Sequence, residues 1–348
     1  MSKQYAFTMQ ARDYEILEII GLCGALTSEQ IGIYIWERVG VFTDTTKVNP
    51  DGSHPPKITV QSNCQRRMKL LHEAGFVQRV ERFQTLKEGK KSYFYTLTAS
   101  GAEAVMSVRG GSIFWRKTDS RLRPNYVEHL IMTNDARLAV MRLQKTNHSS
   151  GLRLLRWRDE LMLAQDHKEL KIPASVNPDK TISYASLIPD AYFVIRDQAG
   201  YESRFFLEID RGSESVISNN PFYRTWAHKI NLYLRFIFTL QGAKESIFTQ
   251  MYREPDVKVL TITTSDERRE RLLDASENVG AQKHFCFASY PDLMRIGVQK
   301  IMDEGTEKGQ PRYTITLPNI WSDPIWRIAS DPEKRLHSLS ARNKQMRR

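Results

Sequence analysis

Three carboxylates pose the chemical question. Asp190 follows Pro189, and 18 residues further on comes Glu208-Ile209-Asp210. Glu208 and Asp210 stand at i and i+2 near the end of an apolar segment, so in a strand both side chains leave the same face. Asp190 begins another apolar segment, and adjacent strands would bring the three acids together. Such a cluster repels itself unless a cation sits in it. Hard oxygen donors suit Mg²⁺ or Mn²⁺, with water and substrate phosphate completing the shell. A cation so held activates water and stabilises the charge on a phosphodiester under attack. The plainer alternative is an ion-paired strand edge, because Arg211 comes next.

The elements that must position these acids can be read from periodicity. Asp190–Ile195 and Arg204–Ile209 read as short strands joined by a turn around Asp197–Gly200. Pro221–Leu240 reads as a helix with Pro221 in its first turn. Val257–Thr263 and His284–Ala288 read as buried strands, Ser265–Val279 and Asp292–Met302 as helices. Before the acids come a long helix, Asn125–Leu143, a strand, Leu152–Arg158, and an irregular stretch, Lys171–Ser183. This order predicts an α/β (α+β) domain with a mixed sheet over residues 125–330, followed by a frayed basic tail, 331–348.

Upstream, residues 1–110 form a unit of their own. Ala11–Leu22 has helical apolar spacing. Thr27-Ser28-Glu29-Gln30 is a capping box that opens a second helix, to about Glu37. Val41–Lys57 reads as an exposed loop. Val60–Ala74 is a third helix, stopped by Gly75. Two alternating segments, Phe76–Phe83 and Ser92–Thr98, flank a polar tip at Gln84–Lys91, and Thr98–Val108 is a fourth helix. Three helices and then a hairpin is the order of a winged helix-turn-helix. The third helix carries Gln61, Asn63, Gln65, Arg66, Arg67 and Lys69, and the hairpin carries Arg79, Arg82, Lys87, Lys90 and Lys91. Polar groups that bond base edges, with cations beside them for phosphates, are what reading duplex DNA requires. The alternative is a winged helix used for protein contacts. Residues 111–124 read as a basic linker that includes Trp115.

Composition agrees with a nucleic-acid partner. The 348 residues carry 51 Lys plus Arg against 40 Asp plus Glu, a net charge of +11. No segment is apolar enough to span a membrane, and Met1–Gln10 lacks the apolar core of a signal peptide, so the expectation is a cytoplasmic protein. Three scattered cysteines form neither a disulfide framework nor a zinc cluster. The eight histidines show no metal-ligand spacing, and no Walker-type loop occurs. Tyr184, Tyr192, Tyr223 and Tyr233 lie near the acids in sequence. A tyrosine nucleophile is conceivable, but packing is the favoured role for each.

Asp190 and Glu208 stand where the two acids of the PD-(D/E)XK motif stand, and the chain resembles that nuclease superfamily. Asp210 departs from it, occupying the place of the family's lysine. The resemblance implies that Lys229 on the following helix supplies a displaced positive charge. It also implies that Glu128 on the preceding helix is a further metal-contacting acid. Arg12-Asp13, Thr27–Ile31, Arg66–Gly75 and Tyr95–Gly101 resemble the winged-helix half of the replication-relaxation family of mobile-element proteins. Pro189-Asp190-Ala191, Phe206–Gly212, Tyr223–Tyr233 and Val259–Ser265 resemble its second half. That family is similar to the MOB-C class of conjugative relaxases. The resemblance implies a protein that binds a double-stranded origin of transfer and nicks it with Mg²⁺ or Mn²⁺ at Asp190, Glu208 and Asp210. Mobilisation or replication proteins are its implied partners. A homodimer on a symmetric site is a further expectation. Two alternatives stay open: a non-catalytic replication or transcription regulator, and a restriction or defence nuclease.

Overall fold

The computed structural model describes residues 7–36, 40–43, 48, 50, 52, 56–59, 62–81, 93–110, 124–146, 151–168, 170–176, 181–218, 225–301, 312–333 and 335–340. The chain divides into two units, Met1–Leu138 with Ile296–Leu317, and Ala139–Arg295 with Pro318–Arg348. Together they make an α+β protein.

The first unit runs α1 (Ala11–Cys23), β1 (Ala25–Thr27), α2 (Ser28–Trp36), β2 (Gly40–Thr43), β3 (Pro56–Thr59), α3 (Ser62–Glu73), β4 (Val77–Val80), β5 (Phe94–Leu97), α4 (Ala99–Arg109) and α5 (Pro124–Thr146), whose last turns are counted with the second unit. Strands β1, β5 and β4 form an antiparallel sheet in that order. The capping box is as expected: Gln30 N–H donates to Thr27 Oγ1 (3.1 Å) and Thr27 N–H to Gln30 Oε1 (2.9 Å). The Gln30 amide also donates to the Ile131 carbonyl and to Asp135, each at 3.0 Å, which ties α2 to α5. Gly101 marks a close approach: a Cβ there would sit 2.1 Å from the Phe76 carbonyl oxygen. Val41–Lys57 is not a loop throughout. Its ends pair as the antiparallel strands β2 and β3, and turn-forming residues between them hide the pairing from the sequence.

The second unit contains β6 (Arg153–Asp159), α6 (Glu160–Asp166), β7 (Ile172–Val176), β8 (Ile182–Ala185), β9 (Ala191–Arg196), β10 (Glu202–Asp210), α7 (Trp226–Ile237), α8 (Ile247–Tyr252), β11 (Lys258–Thr263), α9 (Asp266–Asn278), β12 (Phe285–Ser289) and α10 (Tyr290–Leu293). Then come β13 (Gly297–Ile301) and β14 (Arg312–Thr316), an antiparallel hairpin of the first unit, and β15 (Arg327–Ile328). Six strands form a mixed sheet in the order β15-β12-β11-β10-β9-β6. Strands β10, β11 and β12 are parallel; β9, β6 and β15 pair antiparallel. Helices α7 and α9 cover one face around a core of Tyr192, Phe206, Trp226, Tyr233, Phe236, Phe248, Leu272 and Phe287.

Three expectations are corrected here. Lys171–Ser183 is not irregular, since Ile172–Val176 pairs with Ile182–Ala185 across a register shift. Asp292–Met302 is not a helix. Helix α10 ends at Leu293, and Gly297–Ile301 pairs as a strand with Arg312–Thr316. The tail is docked at its start: Trp326 and His337 exchange backbone hydrogen bonds, and His337 bonds Asp331 at 2.8 Å. Pro221 lies outside the described residues, and α7 is capped instead by Thr225.

Candidate active site

Register explains why the acids meet. Ala191 pairs with both Leu207 and Asp159, so the end of β6, the start of β9 and the end of β10 share one end of the sheet. Asp190 stands just before β9. Its N–H donates to the Leu207 carbonyl (3.1 Å), and its Oδ2 accepts from Ile209 N–H (2.6 Å). These two bonds fix its carboxylate beside β10. Glu160 opens α6 directly after β6, under the cap that Asp159 supplies. One of its carboxylate oxygens lies within 4.8 Å of one from Asp190.

Glu208 points to the helix-covered face and is 1% exposed. Lys229 Nζ donates to its Oε2 at 3.0 Å, and Tyr233 Oη donates to its Oε1 at 2.5 Å. Lys229 and Tyr233 are one helical turn apart on α7, so one face of that helix delivers both donors. Burial is the main force on the Glu208 carboxyl. Lys229 opposes it, Asp190 adds to it, and the balance pushes the group up to about 7. Burial pulls the Lys229 ammonium down, but Glu208, Asp190 and Glu214 together hold it above the usual lysine range. Thr261, the register partner of Glu208 on β11, buries its hydroxyl with no hydrogen-bond partner among the described residues.

Asp210 leaves the same face of β10 but serves a different cation. Arg268 of α9 grips it with two bonds of 2.9 Å, from Nε to Oδ2 and from Nη2 to Oδ1. Thr263, its register partner on β11, donates to Oδ2 at 2.6 Å. The structure therefore brings Asp190, Glu208 and Lys229 together, while Asp210 forms an ion pair with Arg268. Glu128 lies on α5 in the first unit.

Glu160, Arg268 and the bond from Tyr233 to Glu208 escape a sequence reading. Tyr233 alone leaves a signal, four residues after Lys229 on an apolar helix. Of the four tyrosines near the acids in sequence, packing alone describes Tyr192. Tyr192 and Tyr233 are fully buried, Tyr184 is exposed, and Tyr223 lies outside the described residues. His167 is also a core residue, bonded to the Leu187 carbonyl (2.8 Å) and to Tyr252 (2.7 Å).

In the first unit, α3 buries Cys64, Met68 and Leu71 and exposes Asn63, Gln65, Arg66 and Lys69. Arg67 points elsewhere. It pairs with the buried Asp13, donates to the Thr8 carbonyl (3.0 Å), and lies over the Phe7 ring. Gln61, Arg82, Lys87, Lys90, Lys91 and Trp115 lie outside the described residues.

The class defined so far is an α+β protein whose mixed sheet gathers acids and a lysine at one end. The chain belongs to the replication-relaxation family, whose model matches residues 47–250, more than half its length. Membership points to a role in replication or mobile-element DNA processing. No curated protein and no solved structure matches the chain. Among the described residues, no helix is long and apolar enough to cross a membrane.

Proposed function

We propose that this protein nicks DNA at a plasmid or conjugative-element origin, as a metal-dependent nuclease similar to the MOB-C relaxases. The observation that carries the reading is the meeting of Asp190, Glu208 and Lys229 at one end of the sheet. It supplies both acids of the nuclease motif and moves the missing positive charge onto α7.

A divalent ion fits these residues. The donors are hard oxygens, and the Thr261 hydroxyl on the neighbouring strand makes no hydrogen bond among the described residues. Asp190 and Glu208 would hold Mg²⁺ or Mn²⁺. When bound, the ion would activate water and offset phosphate charge. Lys229 holds the Glu208 carboxylate and faces the incoming phosphate with a fixed charge. Tyr233 fixes the rotamer of Glu208. Asp210 serves as the anchor of Arg268.

The first unit would act as a winged helix, with Asn63, Gln65, Arg66 and Lys69 of α3 facing duplex DNA. Arg67 would hold that helix in place rather than touch DNA. The second reading, a non-catalytic regulator, is favoured by one observation: Asp210, in the position of the motif lysine, is closed in an ion pair.

The test is a supercoiled plasmid carrying the DNA that flanks this protein's own gene, incubated with Mn²⁺, Mg²⁺ or EDTA. Metal-dependent open circles, lost in Glu208→Ala, support the nickase. Tight binding without cutting moves the assignment to the regulator.

A further inference from the structure

A cavity of about 450 Å³ opens directly beyond the acids, lined by Gly212–Ile217, Arg268 and Arg271. Its floor is built, not incidental. Gly212 takes φ +77° where the chain leaves β10, a turn that favours glycine. The Ser215 and Val216 carbonyls accept from Trp226 and Ala227 N–H at the start of α7, which pins the loop. Arg268 is aimed by Asp210 and by the Glu214 carbonyl, bonds that use Nε and Nη2. Its Nη1 makes no hydrogen bond among the described residues. Arg271, one turn along α9, is exposed. Ser213 and Ser215 add exposed hydroxyls from the loop. Glu214 is the one acid in the wall.

We infer that this cavity is a phosphate subsite that holds a nucleic-acid strand beside the position to be cut. Guanidinium forks and hydroxyls are the groups that grip a phosphate. The spacing points to a strand. Asp210, which aims Arg268, stands two residues after Glu208 on the same face of β10, about 6–7 Å along the strand. That step is comparable to the one between neighbouring phosphodiesters of a single strand. A strand running along β10 with one phosphate at Glu208 would carry its next phosphate toward the Asp210–Arg268 pair. The inference rests on the proposed DNA-processing function, and it makes Asp210 a positioning residue.

The test uses the full-length protein in EDTA, so that binding is read without cutting. Fluorescence anisotropy follows a six-nucleotide single strand without terminal phosphates, and the same strand with a 5′-phosphate. Arg271→Ala should weaken binding about fivefold and make the slope of log affinity against log salt shallower by about 0.7. Ser213→Tyr, which fills the cavity without removing a charge, should also weaken binding. Lys244→Ala, a charge-matched change at an exposed loop, should not. Added affinity for the 5′-phosphate that is lost in Arg271→Ala would assign the cavity to a strand end, and equal losses for both strands to an internal phosphate. Arg271→Ala and Ser213→Tyr binding as the wild type does would overturn the subsite and leave the nickase untouched. A loss at Arg271 in a protein that cuts no plasmid would keep the subsite and remove the nickase.

Discussion

Glu208 is a carboxyl whose charge state is undecided near neutrality. Its value of about 7, raised chiefly by burial, has two consequences. Below about 4.5 the group is protonated in both folded and unfolded chains. Between there and about 7 only the folded chain keeps the proton. Stability from this group is therefore full at low pH, declines as pH rises from about 4.5 to about 7, by at most about 1.4 kcal/mol per pH unit, and levels off above that. Glu208→Gln should remove that decline, which urea unfolding at a series of pH values will show. Mn²⁺ affinity should rise over the same range, because the ion needs the ionised form. Lys229→Met should slow nicking about a hundredfold, the scale expected on removing one fixed charge from a site, with DNA affinity preserved. That Asp190 and Glu208 lie at adjoining strands was legible from their spacing. The fate of Asp210 was not, because its partner Arg268 lies 58 residues away in the chain.

At the scale of elements, periodicity served where elements are long or capped. Helices α1, α3, α5 and α9 and strands β9 to β12 lie where apolar spacing puts them. It failed for β2, β3, β7, β8 and β13, because a short strand is made by its partner more than by its own alternation. The missed α6 matters most for the site, since it delivers Glu160. Arg67 teaches the same lesson on α3. Its type and spacing match a DNA contact, yet Asp13 claims it. Arg67→Ala leaves that buried carboxylate without its partner and should cost about 3 kcal/mol of stability, read by thermal or urea unfolding. Arg66→Ala and Lys69→Ala should leave the melting temperature unchanged and weaken duplex binding. Gly101→Ala drives a methyl into the Phe76 carbonyl and should destabilise the first unit by about 3 kcal/mol.

For the whole molecule, a charge of +11 and two units suggest a division of labour. Binding and cutting should be separable: variants on α3 lose affinity, variants at the acids lose cutting. Affinity should fall steeply with salt, as phosphate contacts dictate. The mixed α+β architecture was legible because three parallel strands must be joined by crossovers, and helices such as α7 and α9 announce themselves. The convergence of β6, β9 and β10 at one end of the sheet was not, because register is invisible until strands pair.

The central claim is that Asp190 and Glu208 hold a divalent ion. Calorimetric titration of Mn²⁺ into the full-length protein at pH 8 tests it most directly, with Asp190→Ala and Glu208→Ala in parallel. The account predicts one ion per chain in the wild type and none in either variant, with folding intact. Equal Mn²⁺ binding in all three proteins, or none in the wild type, would contradict it.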